Sequence, residues 1–93
     1  MGTLDKGRRT EAAVLNAFTQ RDLAVLTPFG DGRPYDLVVD FEDAYLRVQC
    51  KTGRSYPGGI RFNTRSTDHG RGRRSYDGLA DVFGVCFLPT GQV

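Results

Sequence analysis

Two runs of alternating apolar and polar residues, 35–41 (Tyr35-Asp36-Leu37-Val38-Val39-Asp40-Phe41) and 44–51 (Ala44-Tyr45-Leu46-Arg47-Val48-Gln49-Cys50-Lys51), are separated only by Glu42 and Asp43. Period-two runs rich in Val, Leu and Tyr read as strands, and so short a connection forces an antiparallel hairpin. Side chains on a strand alternate faces. Tyr35, Leu37 and Val39 therefore face one way, and Asp36, Val38 and Asp40 the other. In the second run Leu46, Val48 and Cys50 share an apolar face, and Arg47, Gln49 and Lys51 a polar one. Asp36 sits where the hairpin opens, beside the end of the second strand. It is expected to meet Gln49 and Lys51 across the ladder.

The flanking segments read around this hairpin. Residues 9–20 carry Ala12, Ala13, Leu15, Ala17 and Phe18 at helical spacing, with Asp5 or Thr10 as a cap. Glu11, Leu15 and Phe18 share one face of that helix. Residues 23–27 form a short apolar strand, and Pro28 to Pro34 a turn-rich loop. Residues 52–59 read as loop, 60–64 as a third strand of the same sheet, and 66–75 as a Gly- and Arg-rich loop. Residues 76–81 have room for one helical turn. The continuous apolar run 82–88 suits a central strand buried on both faces. Helix, strand, hairpin, strand, loop and strand make an α/β or α+β fold.

Ninety-three residues suffice for one small domain with a limited core. Cys50 and Cys86 make no disulfide framework and no zinc cluster, and read as buried free thiols. The first residues lack an apolar signal core, and no run approaches the ~18 apolar residues of a membrane span. The expectation is a soluble, cytoplasmic protein without a membrane partner. Charge is segregated. Residues 1–50 hold six bases and eight acids, whereas residues 51–74 hold Lys51, Arg54, Arg61, Arg65, Arg71, Arg73 and Arg74 against Asp68 alone. An arginine-dominated segment suits phosphate and base-edge contact, which points to nucleic acid.

An Asp with a neighbouring oxygen ligand can hold a hard cation such as Mg²⁺, which keeps several waters and needs only one or two carboxylates. A nearby Lys can stabilise developing charge. Glu11 can ligate or bind a metal-bound water. Together these are the parts of metal-assisted phosphodiester hydrolysis.

Lys6-Gly7 followed by Glu11, then Pro28-Phe29-Gly30, the run 35–40, and Arg47-Val48-Gln49-Cys50-Lys51-Thr52-Gly53 resemble the PD-(D/E)XK endonuclease superfamily. The likeness is greatest to its branch containing group I intron homing endonucleases, and spans residues 6–93. It implies an α/β, restriction-endonuclease-like core: a mixed sheet with an N-terminal helix, one nuclease domain over residues 1–93. By the resemblance Asp36 is the metal-binding acid, Lys51 the catalytic lysine and Glu11 the helix-borne acid. Gln49 stands where the second acid usually is, and Gln-x-Lys is a variant accepted in the homing branch. The chain ends at Gly91-Gln92-Val93, where members of the branch continue, so the core is expected to be minimal and C-terminally short.

The resulting expectation is a metal-dependent DNA endonuclease. Glu11, Asp36, Gln49 and Lys51 form its catalytic site, and Asp36, Gln49 and Glu11 hold Mg²⁺ or Mn²⁺. Arg8, Arg9, Arg54, Arg61, Arg65, Arg71, Arg73 and Arg74 are the candidate contacts to double-stranded DNA. One such site cuts one strand, so a double-strand break calls for a homodimer or homotetramer. The other readings are a Holliday junction resolvase-like nuclease, a catalytically degenerate DNA-binding or regulatory module, and a merely structural domain. His69 reads as a loop residue and Asp40 as structural. The resemblance places Tyr76 and Asp81 near the site, where packing and capping explain them nearly as well.

Overall fold

Helix α1 (Thr3–Thr19) begins well before Arg9, with Asp5 in its first turn, where a carboxylate suits the positive end of the helix dipole. The computed structural model describes residues 3–30, 32–63, 65–68, 72–75 and 80–93, and for 3, 4, 65–68 and 72–75 the backbone alone. The helix stops at a Schellman-type cap. Asp22 takes a left-handed φ of 60°, and the Leu23 N–H donates to the Phe18 carbonyl at 3.3 Å. Because the helix starts early, Thr10 is not its cap. It lies in mid-helix and is 2% exposed. The buried stripe runs through Thr10 and Val14, with Ala13 and Phe18 beside it, and Glu11 falls at its exposed edge.

Among the described residues eight strands follow: β1 (Ala24–Leu26), β2 (Leu37–Asp40), β3 (Tyr45–Thr52), β4 (Arg54–Tyr56), β5 (Gly59–Arg61), β6 (Arg65–Asp68), β7 (Gly72–Ser75) and β8 (Val82–Cys86). The main sheet has the order β1-β2-β3-β8. β1–β2 and β2–β3 are antiparallel, and β3–β8 is parallel. The architecture is a mixed sheet with an N-terminal helix. The β2–β3 hairpin is the one its alternation demands, with Leu37 opposite Val48 and Asp40 opposite Tyr45. Glu42 turns the chain with a φ of 68°, and its N–H is held by Asp40 Oδ1 at 2.9 Å, so Asp40 is structural.

Three expectations are corrected. Residues 60–64 do not extend the main sheet: among the described residues β5, which takes in Ile60 and Arg61, pairs with β4, whose residues were read as loop, in a separate hairpin. The Gly- and Arg-rich segment also holds paired strands, β6 and β7. Both segments are rich in polar residues and lack an apolar alternation in the sequence, and β4–β5 is exposed at every residue. Third, β8 is an edge strand among the described residues, not a central one. Its burial alternates, with Gly84 and Cys86 inward and Phe83 and Val85 half-buried. The helical turn considered for residues 76–81 falls mostly on 76–79, outside the described residues, as do His69, Arg71 and Tyr76.

Val14, Leu37, Val39, Val48, Cys50 and Cys86 form the core, with α1 lying over one face of the sheet. Both cysteines are free and buried. Two aromatic pairs tie down the periphery. Phe18 meets Phe41 edge-on at 6.4 Å, and Phe62, just after β5, packs on Phe83 at 5.4 Å. β8 is also clasped to β3 at its start. Asp81 accepts from the Arg47 N–H at 2.8 Å and from its guanidinium at 3.2 Å, while the Asp81 N–H donates to the Arg47 carbonyl at 2.9 Å.

Helix and sheet approach closely at Gly84. A Cβ there would lie 2.6 Å from Val14 Cγ1 and 3.3 Å from Val48 Cγ1. Valine has little rotameric freedom in a helix with which to yield. Gly84→Ala should therefore lower unfolding stability by about 1–3 kcal/mol, as overpacking does. A urea melt of the variant beside the parent protein checks this, and an unchanged midpoint would show that the helix can lift without loss.

Candidate active site

At the mouth of the hairpin the β2–β3 ladder departs from regular pairing. Leu37 is the register partner of Val48, yet the Asp36 N–H also donates to the Val48 carbonyl, at 2.8 Å. Two residues of one strand oppose one residue of the other, which is a β-bulge. Such bulges commonly re-aim a side chain beside a site. The Asp36 carboxylate uses the freedom to accept the Cys50 N–H at 2.8 Å through Oδ2. It is thereby fixed against the backbone of the residue between Gln49 and Lys51. Strict alternation had expected an ordinary cross-strand neighbour; the bulge replaces this with a side-chain-to-backbone bond.

The second acid comes from the helix. Thr10 Oγ1 and Thr52 Oγ1 hydrogen-bond at 2.7 Å, joining α1 to the end of β3. The next helical residue, Glu11, then lies close enough to Asp36 for the two charges to interact. Both acids line one open cavity of about 240 Å³, with Thr27, Pro28, Gly30, Gly32, Arg33 and Tyr35 completing it. The turn-rich loop between β1 and β2 supplies most of that wall.

Electrostatics follows from this crowding. Glu11 is held above its ordinary 4.5, first by burial and then by the Asp36 charge. Asp36 is held above its ordinary 3.8 by burial, although the Cys50 N–H and the Lys51 charge pull the other way. Lys51 is lowered by burial, with Asp36 opposing. The Cys50 thiol is pushed up to about 12 by burial and by the same two carboxylates, so it is no nucleophile at neutral pH. Gln49 donates its amide nitrogen to the Cys50 carbonyl at 3.3 Å, which turns the amide oxygen away from that bond.

Among the described residues no three His, Cys, Asp or Glu side chains gather as a metal cluster. Two carboxylates at one open cavity, with the Asp36 charge raising the proton affinity of Glu11, nevertheless fit a hydrated hard cation. It would relieve their repulsion and needs no third acid.

A family model for PD-(D/E)XK endonucleases matches residues 1–90. The chain belongs to that family. A solved structure of a bacterial homing endonuclease matches 98% of this chain at 27% identity, with a TM-score of 0.77. The match takes in 66% of that chain, so the present chain spans just under two thirds of its length. No curated protein sequence matches.

Of the residues expected at the site, the fold brings Asp36 within range of both Glu11 and Lys51, with Gln49 adjoining the Cys50 backbone that anchors Asp36. It does not bring Asp81, which clasps Arg47. In register, Val82 aligns with Val48 and Val85 with Lys51, so this clasp lies four β3 residues, roughly 13 Å, from Lys51. Arg54 and Arg61 are exposed and directly opposite each other on β4–β5, and the Arg61 guanidinium stacks 4.9 Å over Tyr56. Arg65, Arg73 and Arg74 lie on the β6–β7 backbone. Arg8 and Arg9 are exposed on α1, and Arg9 is close enough to Cys86 to act on its thiol. Sequence reading missed Thr10, Thr52 and the cavity-lining Arg33. The threonines immediately precede Glu11 and follow Lys51, and a polar residue on a helix's inward stripe was the available signal.

The carboxylates give a pH signature. Both bind protons more tightly in the folded chain than their ordinary values of 4.5 and 3.8. Their contribution to stability is therefore full below those values and is lost as pH rises through the raised folded ones. Asp36→Asn should remove its share of this loss, and a divalent cation should offset it in the parent. Urea midpoints across pH, with and without the cation, measure both effects; identical pH profiles for parent and variant would refute the coupling.

Proposed function

We propose that the chain is an endodeoxyribonuclease that hydrolyses phosphodiester bonds of double-stranded DNA with Mg²⁺, Mn²⁺ serving as a substitute. The observation carrying this reading is the convergence of Glu11 and Asp36 on one open cavity, with Lys51 within range of Asp36. Family membership supports it. Asp36 and Glu11, helped by the Gln49 amide oxygen, would hold the cation, which when bound supplies a Lewis acid and a more acidic water. Lys51 places positive charge where the scissile phosphate gains negative charge. Glu11 can also accept a hydrogen bond from the attacking water and orient it.

DNA is held, in this reading, by the hairpins that follow the catalytic strand. Like charges placed directly across a ladder repel, and Arg54 faces Arg61 in this way. A backbone phosphate between them turns that repulsion into two charge-assisted contacts. Arg8 and Arg9, exposed on α1, are assigned to the same task, as are Arg65, Arg71, Arg73 and Arg74, which follow in the sequence. Each site cuts one strand, so a double-strand break is assigned to a homodimer or homotetramer.

Gln49 favours a second reading, a DNA-binding module that no longer cuts, because a neutral amide brings no charge to a cation. Incubation with supercoiled plasmid separates the two. The parent should nick or linearise plasmid in Mg²⁺ or Mn²⁺. Lys51→Ala and Asp36→Asn should each slow this by about 10²-fold or more. The asparagine keeps an acceptor for the Cys50 N–H, so its loss of activity is not a loss of fold. Salt-sensitive DNA binding without cleavage in either cation would favour the binding module.

A further inference from the structure

Phe29 stands entirely in water, 101% exposed. The contrast with its own kind is sharp: of the six phenylalanines, the next most exposed is Phe41 at 37%, and Phe18, Phe62, Phe83 and Phe87 are half-buried. The ring is carried on a built support. Pro28 precedes it with a fixed φ, and Gly30 and Gly32 follow with φ of 94° and 80°, which other residues rarely adopt. A Cβ at either glycine would meet nothing within 4 Å, so the loop is open at both positions. Its remaining residues are not remote from the chemistry. Pro28, Gly30, Gly32 and Arg33 line the same cavity as Glu11 and Asp36.

We propose that Phe29 is a wedge that stacks on DNA bases next to the phosphate held at Glu11 and Asp36. The proposal rests on the nuclease reading. A phosphate entering that cavity brings its neighbouring bases against the loop that forms the wall. Apolar side chains inserted at a base step unstack it and bend the duplex. An aromatic face stacks on any base, so the contact tolerates sequence. Arg33, in the same loop, adds the cation that a nucleic acid favours and an apolar protein partner does not. Opening the step beside the scissile bond gives Phe29 a role in positioning the substrate, not in the chemistry.

The chain has no tryptophan, so Phe29→Trp creates a single fluorescent reporter at the wedge, on a side chain whose replacement disturbs no packing. The probe is a mixed-sequence duplex, end-labelled for anisotropy, with Ca²⁺ replacing Mg²⁺. Binding seen by anisotropy should come with roughly halved tryptophan emission and protection from acrylamide, as base stacking produces. Phe29→Ala should nick intact plasmid roughly tenfold more slowly and recover most of that loss on a duplex carrying a mismatch. Binding with unchanged emission overturns the wedge and leaves the nuclease reading standing. Emission that changes with protein concentration in the absence of DNA also overturns it, and assigns the ring to a second copy of the chain. No binding, together with no plasmid nicking by the parent, removes the nuclease reading and the wedge with it.

Discussion

Residue 84 has no side chain, and the arrangement of the site depends on that absence. Val14 fills the space a Cβ would occupy, so α1 sits directly on β3 and β8. Only at that separation can Thr10 reach Thr52 at 2.7 Å. That bond fixes the helix turn that carries Glu11 toward Asp36. A packing condition on one strand thus sets the position of an acid on a helix, through rigid elements that transmit small displacements. Sites built on such elements hold their geometry better than sites built on loops.

Within the site, burial and charge pull against each other. For Asp36 burial outweighs both the Cys50 N–H and Lys51, and for Glu11 the neighbouring acid adds to burial. The pair is thus held in a state that any added positive charge improves. Gln49 sharpens this balance. Under the proposed function, a carboxylate at position 49 would add repulsion without a cation and attraction with one, so the amide would trade affinity for an easier fold. The β-bulge serves both ends, because it gives Asp36 a fixed backbone donor while leaving its carboxylate at the cavity.

The parts legible from sequence were those with a period. Alternation in 35–41 and 44–51 defined the hairpin, its inward Leu37, Val39, Val48 and Cys50, and the pairing of Asp36 with the end of β3. Apolar content marked β1 and β8. What escaped had no periodic signal. The helix start was obscured by Lys6, Gly7, Arg8 and Arg9, which look like a polar lead. Thr10 is buried because Thr52 satisfies it, a long-range pairing that local reading cannot show. β4–β5 and β6–β7 are hairpins with few apolar side chains. β8 looked central because an unbroken apolar run does not distinguish two buried faces from one. At the site, residue types were readable, but the bulge that aims Asp36 is a property of the ladder. Family likeness supplied the roles that spacing alone left open.

The parallel union of β3 with β8 has a kinetic consequence. Its partners are separated by 34 positions, as Val48 and Val82 illustrate, whereas the β2–β3 hairpin closes over two residues. Local closure costs less entropy and precedes distant closure, so the hairpin bearing Asp36, Gln49 and Lys51 is the natural first structure. The surface on which α1 rests exists in full only once β8 has docked. On this ordering Glu11 is expected to reach its final place after Asp36 and Lys51 have been brought together. Such an order would complete the two-acid cavity only once the sheet is whole.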